Sequence, residues 1–300
     1  MKLPALLLYV FLVFALSWAL QIGAIAFAGN PESPAAAPWL VSAMFVPALV
    51  TLGFVRFYRP TRGLLLWKPT WAMIPLLLAA FVVPTVIGFA TVGAIELLQW
   101  GHSNWFVFRQ TSVSISGGPW LFGRGVQSWQ LFVANVCATG GAYALFNALF
   151  AIGEELGWRG FLQGQLTARL GTTGGIALLG LLWAFWHLPV LLAGYDYPEQ
   201  PLLGAFVFMP IQLVAASFFL GWLTVRARTV WPAAVAHGAV NSIEEGVTSH
   251  LHLAVPHLAE DLTRLAIIVF VGLMFWALLA RRERQNRDST SHAIPKSDAS

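Results

Sequence analysis

Charged side chains are scarce in this chain: Asp, Glu, Lys and Arg make up 10% of its 300 residues, while 58% are hydrophobic. A soluble domain carries about 25% charged residues, so this composition excludes a surface covered against water and requires one covered by lipid. Cysteine is nearly absent, and the single Cys137 excludes an internal disulfide. Lying within an apolar run, it reads as a small buried hydrophobe. No HExxH pair and no GxSxG elbow occurs, and the one Cys has no His near it in sequence, so the usual zinc, serine and cysteine protease signatures are missing. The formal charge of +4 would raise nucleic acid as a partner of a soluble protein. Here the basic residues sit in short loops and the tail, so the expected partner is the anionic face of a bilayer and not nucleic acid.

What the chain has instead is long apolar runs. Eight of about 20 residues are legible, at 4–28, 38–57, 72–99, 129–153, 174–194, 202–225, 230–250 and 262–280. The expected fold is all-α: a polytopic transmembrane bundle of about eight spans around a water-filled cavity, one domain over 1–280 with its motif-bearing core at 130–250. Eight spans put both termini on one side, and of the 17 Lys and Arg only Arg109, Arg124 and Arg264 then fall on the other. The positive-inside rule makes the terminal side cytosolic, which fits a plasma (inner) membrane protein. Lys2, the first apolar run and Ala26-Phe27-Ala28 also resemble a signal peptide, but the run exceeds the usual 7–15-residue core, which favours a retained helix. Four Trp (Trp100, Trp105, Trp120 and Trp129) spread along 100–129 place that connection at the outer interface. The polar tail 281–300 has no apolar periodicity and is expected to be a disordered cytosolic segment.

Ionisable residues inside spans are costly, so each must be paired, solvated in a cavity or functional. Three clusters stand out. In GEELGWRGFL, residues 153–162, Glu155 and Arg159 are i,i+4 neighbours able to pair, which leaves Glu154 about 100° away and available. In Trp183-Ala-Phe185-Trp186-His187-Leu-Pro189, His187 lies well inside a span, and Pro189 weakens the helix and frees backbone acceptors. In His237-Gly-Ala-Val-Asn241, spacing puts His237 and Asn241 on one face, continued by Glu244 or Glu245. Each cluster also has a plain structural reading: a snorkelling helix end, a buried His bonded to a carbonyl, and interhelical hydrogen bonds. Together a carboxylate, two imidazoles and a carboxamide on three spans can activate water and stabilise an oxyanion, the equipment of amide hydrolysis. The same residues allow a divalent metal, zinc, on Glu154, His187 and His237.

A Glu-Glu-x-x-x-Arg ending one span, an aromatic-x-x-x-His in the next and a His-x-x-x-Asn two spans later resemble the CPBP family of intramembrane proteases, which includes type II CAAX prenyl endopeptidases and relatives linked to bacteriocin immunity. The resemblance covers about residues 130–250. It implies that Glu154 and His187 activate the attacking water, that Glu155 and Arg159 form a supporting ion pair, and that His237 and Asn241 stabilise the oxyanion. It also implies a membrane-associated or lipidated peptide substrate and a site open to the cytosol. A metal-independent mechanism is favoured, with no cofactor required, because Asn is a poor zinc ligand and a good oxyanion donor. Two competing readings are a proton-coupled transporter and a non-proteolytic immunity or scaffold member of the same family. One departure from the family pattern is Trp183, where Phe is usual; a larger ring narrows the cavity. One difficulty is depth, since Glu154 ends a span near the cytosol while His187 sits nearer mid-bilayer.

Overall fold

A computed structural model describes residues 1–61 and 63–292, with side chains through 285. Six of its helical stretches are long and apolar enough to cross a membrane: Leu3–Ala28, Ala37–Phe57, Trp71–Leu97, Trp129–Trp186, Pro201–Ala227 and His257–Gln285. The chain is an integral membrane protein built as a helical bundle. Helix α1 (Leu3–Ala28) ends on Gly29 in the left-handed conformation, φ 71°, which closes the last turn. Helices α2 (Ala37–Phe57) and α3 (Ile74–Leu97) each carry Pro in the first turn, where its missing N–H leaves no ladder bond unmade. Leu7, Phe11, Leu49, Leu78, Leu145 and Phe270 point outward, as side chains facing lipid must. Cys137 is exposed on the outside of its helix, not buried as expected. The hydrophobic run around it is apolar because one of its faces meets lipid, so position within such a run does not imply burial.

Two of the eight predicted runs are joined in one helical stretch of 58 residues, Trp129–Trp186. It comprises α4 (Trp129–Gly157), a π-helical turn Trp158–Leu162 and α5 (Gln163–Trp186). Within α5, Gly171 adopts φ 75°, ψ 170°, a region open essentially to glycine alone. There the chain reverses: a Cβ on Gly175 would lie 2.5 Å from the backbone N of Thr167. Glu154 and His187 therefore stand at similar distances from the reversal, on its two arms. This removes the depth difficulty, because the second arm starts near one face and brings His187 back to the level of Glu154. Gly171→Ala is expected to lower stability by about 1–3 kcal/mol. Thermal unfolding of the purified protein in detergent checks this, and an unchanged Tm would show that the reversal accepts a Cβ.

After α5 come two short helices, α6 (Leu188–Leu192) and α7 (Pro201–Leu203), then a π turn Gly204–Phe208 and α8 (Met209–Ala227). The seventh predicted run is not one regular helix. It divides into α9 (Trp231–Ala239), a π-helical turn Val240–Glu244 and α10 (Glu245–Thr248). Helix α9 packs on α3, α4 and α8, and every residue from Pro232 to Ala239 is buried. Gly238 permits this closeness, since a Cβ there would lie 2.4 Å from the carbonyl oxygen of Ala144 on α4.

The connection 100–128 folds into short strands. β1 (Gly101–Ser103) pairs antiparallel with β5 (Leu251–Leu253), and β2 (Phe106–Phe108), β3 (Ser112–Ile115) and β4 (Gly125–Ser128) form an antiparallel sheet. Phe106, Val113 and Ile115 pack on Phe132, Val136 and Val247, so this cap is joined to α4 and α10 by its own small core. Helix α11 (His257–His292) runs through the first twelve residues of the tail expected to be disordered, and the rest of that tail, 293–300, lies outside the described residues.

Candidate active site

The last two turns of α4 place Glu154 and Glu155 in the interior, 2% and 0% exposed. Two full burials of charge cost several kcal/mol each unless the charges are paired and hydrogen-bonded. Glu155 meets that requirement. Its Oε1 accepts from Arg159 Nη1 at 2.8 Å and bonds His237 Nδ1 at 2.9 Å, and Arg159 Nη2 donates to Ser217 Oγ on α8 at 2.9 Å. The expected i,i+4 pair is thus present, and it extends into a chain that ties α4, the π turn, α8 and α9 together. Because Nδ1 of His237 is taken, Nε2 is the ring nitrogen left for the cavity that His237 lines.

Glu154 points elsewhere. Its Oε2 accepts the indole N–H of Trp183 at 2.7 Å. One turn further along α5, the backbone carbonyl of Trp183 accepts from His187 Nδ1 at 2.9 Å. A carbonyl can only accept, so Nδ1 carries a proton and neutral His187 keeps its lone pair on Nε2. The helix breaks at His187, where φ is −82° and ψ −3°. Pro189 has no N–H to offer the Phe185 carbonyl four residues back, and the next carbonyl, that of Trp186, is bonded by Trp18 Nε1 at 3.1 Å and Gln21 Nε2 at 3.0 Å from α1. The first helix thus hydrogen-bonds the backbone beside the break anticipated from Pro189.

Asn241 lies in the π turn that follows α9, half-buried, and its carboxamide has no hydrogen-bond partner among the described residues. π turns re-aim side chains relative to an α-helix and recur at functional sites. Glu154, His187, His237 and Asn241 all line one cavity of about 340 Å³. Glu155 and Arg159 lie outside its lining, behind His237. Glu244, 2% exposed, lines the cavity as well.

The cavity reaches toward Tyr195, Asp196 and Glu245, and a second cavity of about 300 Å³, with Glu199, Glu260, Asp261 and Arg264 in its wall, shares Asp196, Gln212 and Glu245 with it. At the opposite end the segment 64–68 crosses the bundle, with Leu66 N bonded to the Gly160 carbonyl and the Leu66 carbonyl taken by Val230 N. The polar path thus leads toward the connections 193–200 and 249–256. Among the described residues no three His, Cys, Asp or Glu side chains are grouped to hold a metal ion. Glu154, His187 and His237 form no such group, while Oε1 of Glu154 and Nε2 of both imidazoles keep no protein partner among the described residues.

Residues 138–243 match the Rce1-like family, type II CAAX prenyl endopeptidases. The matched stretch spans Glu154, Glu155, Arg159, His187, His237 and Asn241, so the resemblance read from the three motifs holds over the core that carries them. The chain is also similar to "CAAX prenyl protease 2" of Methanococcus maripaludis, 27% identical over 111 residues, which is 37% of this chain and 39% of that protein. The aligned part is thus about two-fifths of the curated relative's length. Outside the Rce1-like stretch lie α1, whose Trp18 and Gln21 close the helix break, and Glu244 and Glu245 at the far end of the cavity.

Three contacts at the site were not legible beforehand, among them the bond from Glu155 to His237. Ser217, a small residue in an apolar span, gave no signal that it would meet Arg159. Trp183 stood out only for its size, while its N–H bond to Glu154 depends on α5 coming back toward α4 after the reversal at Gly171.

Proposed function

We propose that this protein is an intramembrane endopeptidase in which Glu154 and His187 activate water within the bundle and His237 and Asn241 stabilise the oxyanion. The observation that carries the reading is the convergence of those four side chains, from three helical segments, on one cavity. A water between Glu154 and His187 donates hydrogen bonds to the carboxylate and to Nε2 of His187. As its oxygen attacks the scissile carbonyl carbon, Glu154 accepts the proton. The carbonyl oxygen becomes an oxyanion facing the Asn241 amide and His237 Nε2–H, which the protonated ring presents while Glu155 holds Nδ1. Collapse breaks the C–N bond, and the proton on Glu154 passes to the leaving nitrogen.

The substrate class favoured is a CAAX-type prenylated peptide or another membrane-associated peptide, since the cavity is walled by apolar side chains such as Met44, Ile87 and Leu213 as well as by the polar groups. No cofactor enters the scheme. The test is incubation of the detergent-purified protein with a mixture of prenylated and unmodified membrane-segment peptides, read by mass spectrometry with and without a chelator. Cleavage that persists in chelator is expected. Loss of cleavage in chelator would overturn the metal-free mechanism, and no cleavage by folded protein would overturn the protease reading.

A further inference from the structure

Four separate contacts of the site converge on one residue that the proposed reaction does not use, three on its side chain and one on its backbone carbonyl. The Trp183 indole N–H donates to Glu154 Oε2 at 2.7 Å, and its own carbonyl accepts from His187 Nδ1 at 2.9 Å. Its ring lies 4.1 Å from the guanidinium carbon of Arg159, and it meets the His237 ring edge-on, with centroids 5.2 Å apart and planes at 67°. Trp183 is 4% exposed, so water does not compete for these contacts.

We infer that Trp183 is a positioning residue for the proposed reaction, holding the Glu154 carboxylate toward the cavity through its N–H and seating the Arg159–Glu155–His237 chain with its ring. The carboxylate of a glutamate turns about three side-chain torsions, and one directed hydrogen bond to Oε2 removes most of that freedom. With Oε2 held, the remaining oxygen has fewer directions open to it. The ring acts differently. A cation over an aromatic face is attracted by the ring quadrupole, most strongly where water is excluded. Arg159 is thereby kept against Glu155, which in turn aligns His237. A phenyl group at this position fills part of the same space but has no proton to donate, so it serves the second task and not the first. The departure at this position, a larger ring by sequence, is by structure an added hydrogen-bond donor to the proposed base.

This inference rests on the proteolytic reading, and its test separates the two. Trp183→Phe removes the donor, and 3-benzothienylalanine at position 183 removes it while keeping the shape of the indole. Both are expected to lower kcat about tenfold to a hundredfold, the scale of a misplaced reacting group, with KM changed less than about twofold and Tm kept in the benzothienyl protein. In a Glu154→Asp background, where the carboxylate is one methylene short of the indole, removing the donor is expected to cost nothing further, the non-additivity of groups acting through one another. An unchanged kcat in the benzothienyl protein, or full additivity with Glu154→Asp, would overturn the positioning role and leave the protease reading standing. No cleavage by the wild-type protein overturns both.

Discussion

Glu154→Gln is expected to lower kcat by about 10²–10⁴-fold, the range that general-base catalysis contributes, while the protein keeps its fold. The substitution is nearly isosteric, and its carbonyl oxygen can still accept the Trp183 N–H that Glu154 Oε2 accepts at 2.7 Å. What it loses is the ability to take a proton from water. A single-turnover assay on any cleaved peptide, beside a thermal melt of the same preparation, separates loss of chemistry from loss of structure. Activity within tenfold of wild type would remove Glu154 from the base role and pass it to His187, whose Nε2 lone pair lines the same cavity. Abolished cleavage with an intact biological effect would favour a scaffold or immunity role for the protein.

Arg159→Met is expected to destabilise the protein by about 3–5 kcal/mol, because it takes the guanidinium from the buried Glu155 carboxylate and leaves it only the His237 ring. Both partners are 0% exposed and their atoms are 2.8 Å apart, so solvent cannot take over the pairing. Removing both charges together, as Arg159→Met with Glu155→Leu, is expected to recover much of the lost stability. A buried pair replaced by apolar groups of similar volume is often neutral. Activity should not return with stability, since His237 loses the carboxylate that bonds Nδ1 at 2.9 Å. Tm and cleavage measured on wild type, single and double variants decide this. A double variant as unstable as the single one would show that the network shapes the bundle through more than charge compensation.

Much of the site was legible before any coordinates. Charges within apolar spans are expensive, so GEELGWRG, His187 and His237-x-x-x-Asn241 announce themselves against a background of Leu, Ala and Phe. The Glu155–Arg159 pair followed from helical spacing because its partners lie one turn apart. Long-range partners were invisible for the converse reason. The bonds from Glu155 to His237, from Arg159 to Ser217 and from Glu154 to Trp183 join residues 82, 58 and 29 positions apart, and nothing in local pattern encodes such a distance. The strands of 100–128 were missed as strands because runs such as Phe106–Phe108 are too short for a confident period.

Hydropathy and the cost of burying charge are properties of single side chains and short windows. They therefore specify the membrane class, the helical runs and the identity of the candidate site residues from the order of amino acids. The meeting of those residues is a property of pairs. It depends on Gly171 reversing the chain so that His187 returns to the level of Glu154, on Gly238 admitting α9 against the backbone of α4, and on a π turn that re-aims Asn241. The direction of the cavity likewise follows from packing, with segment 64–68 bonded across one end and Asp196, Glu199, Glu260 and Asp261 standing at the other. Each of these is set by which surfaces touch, and contact energies between distant parts of a chain are fixed when the helices assemble.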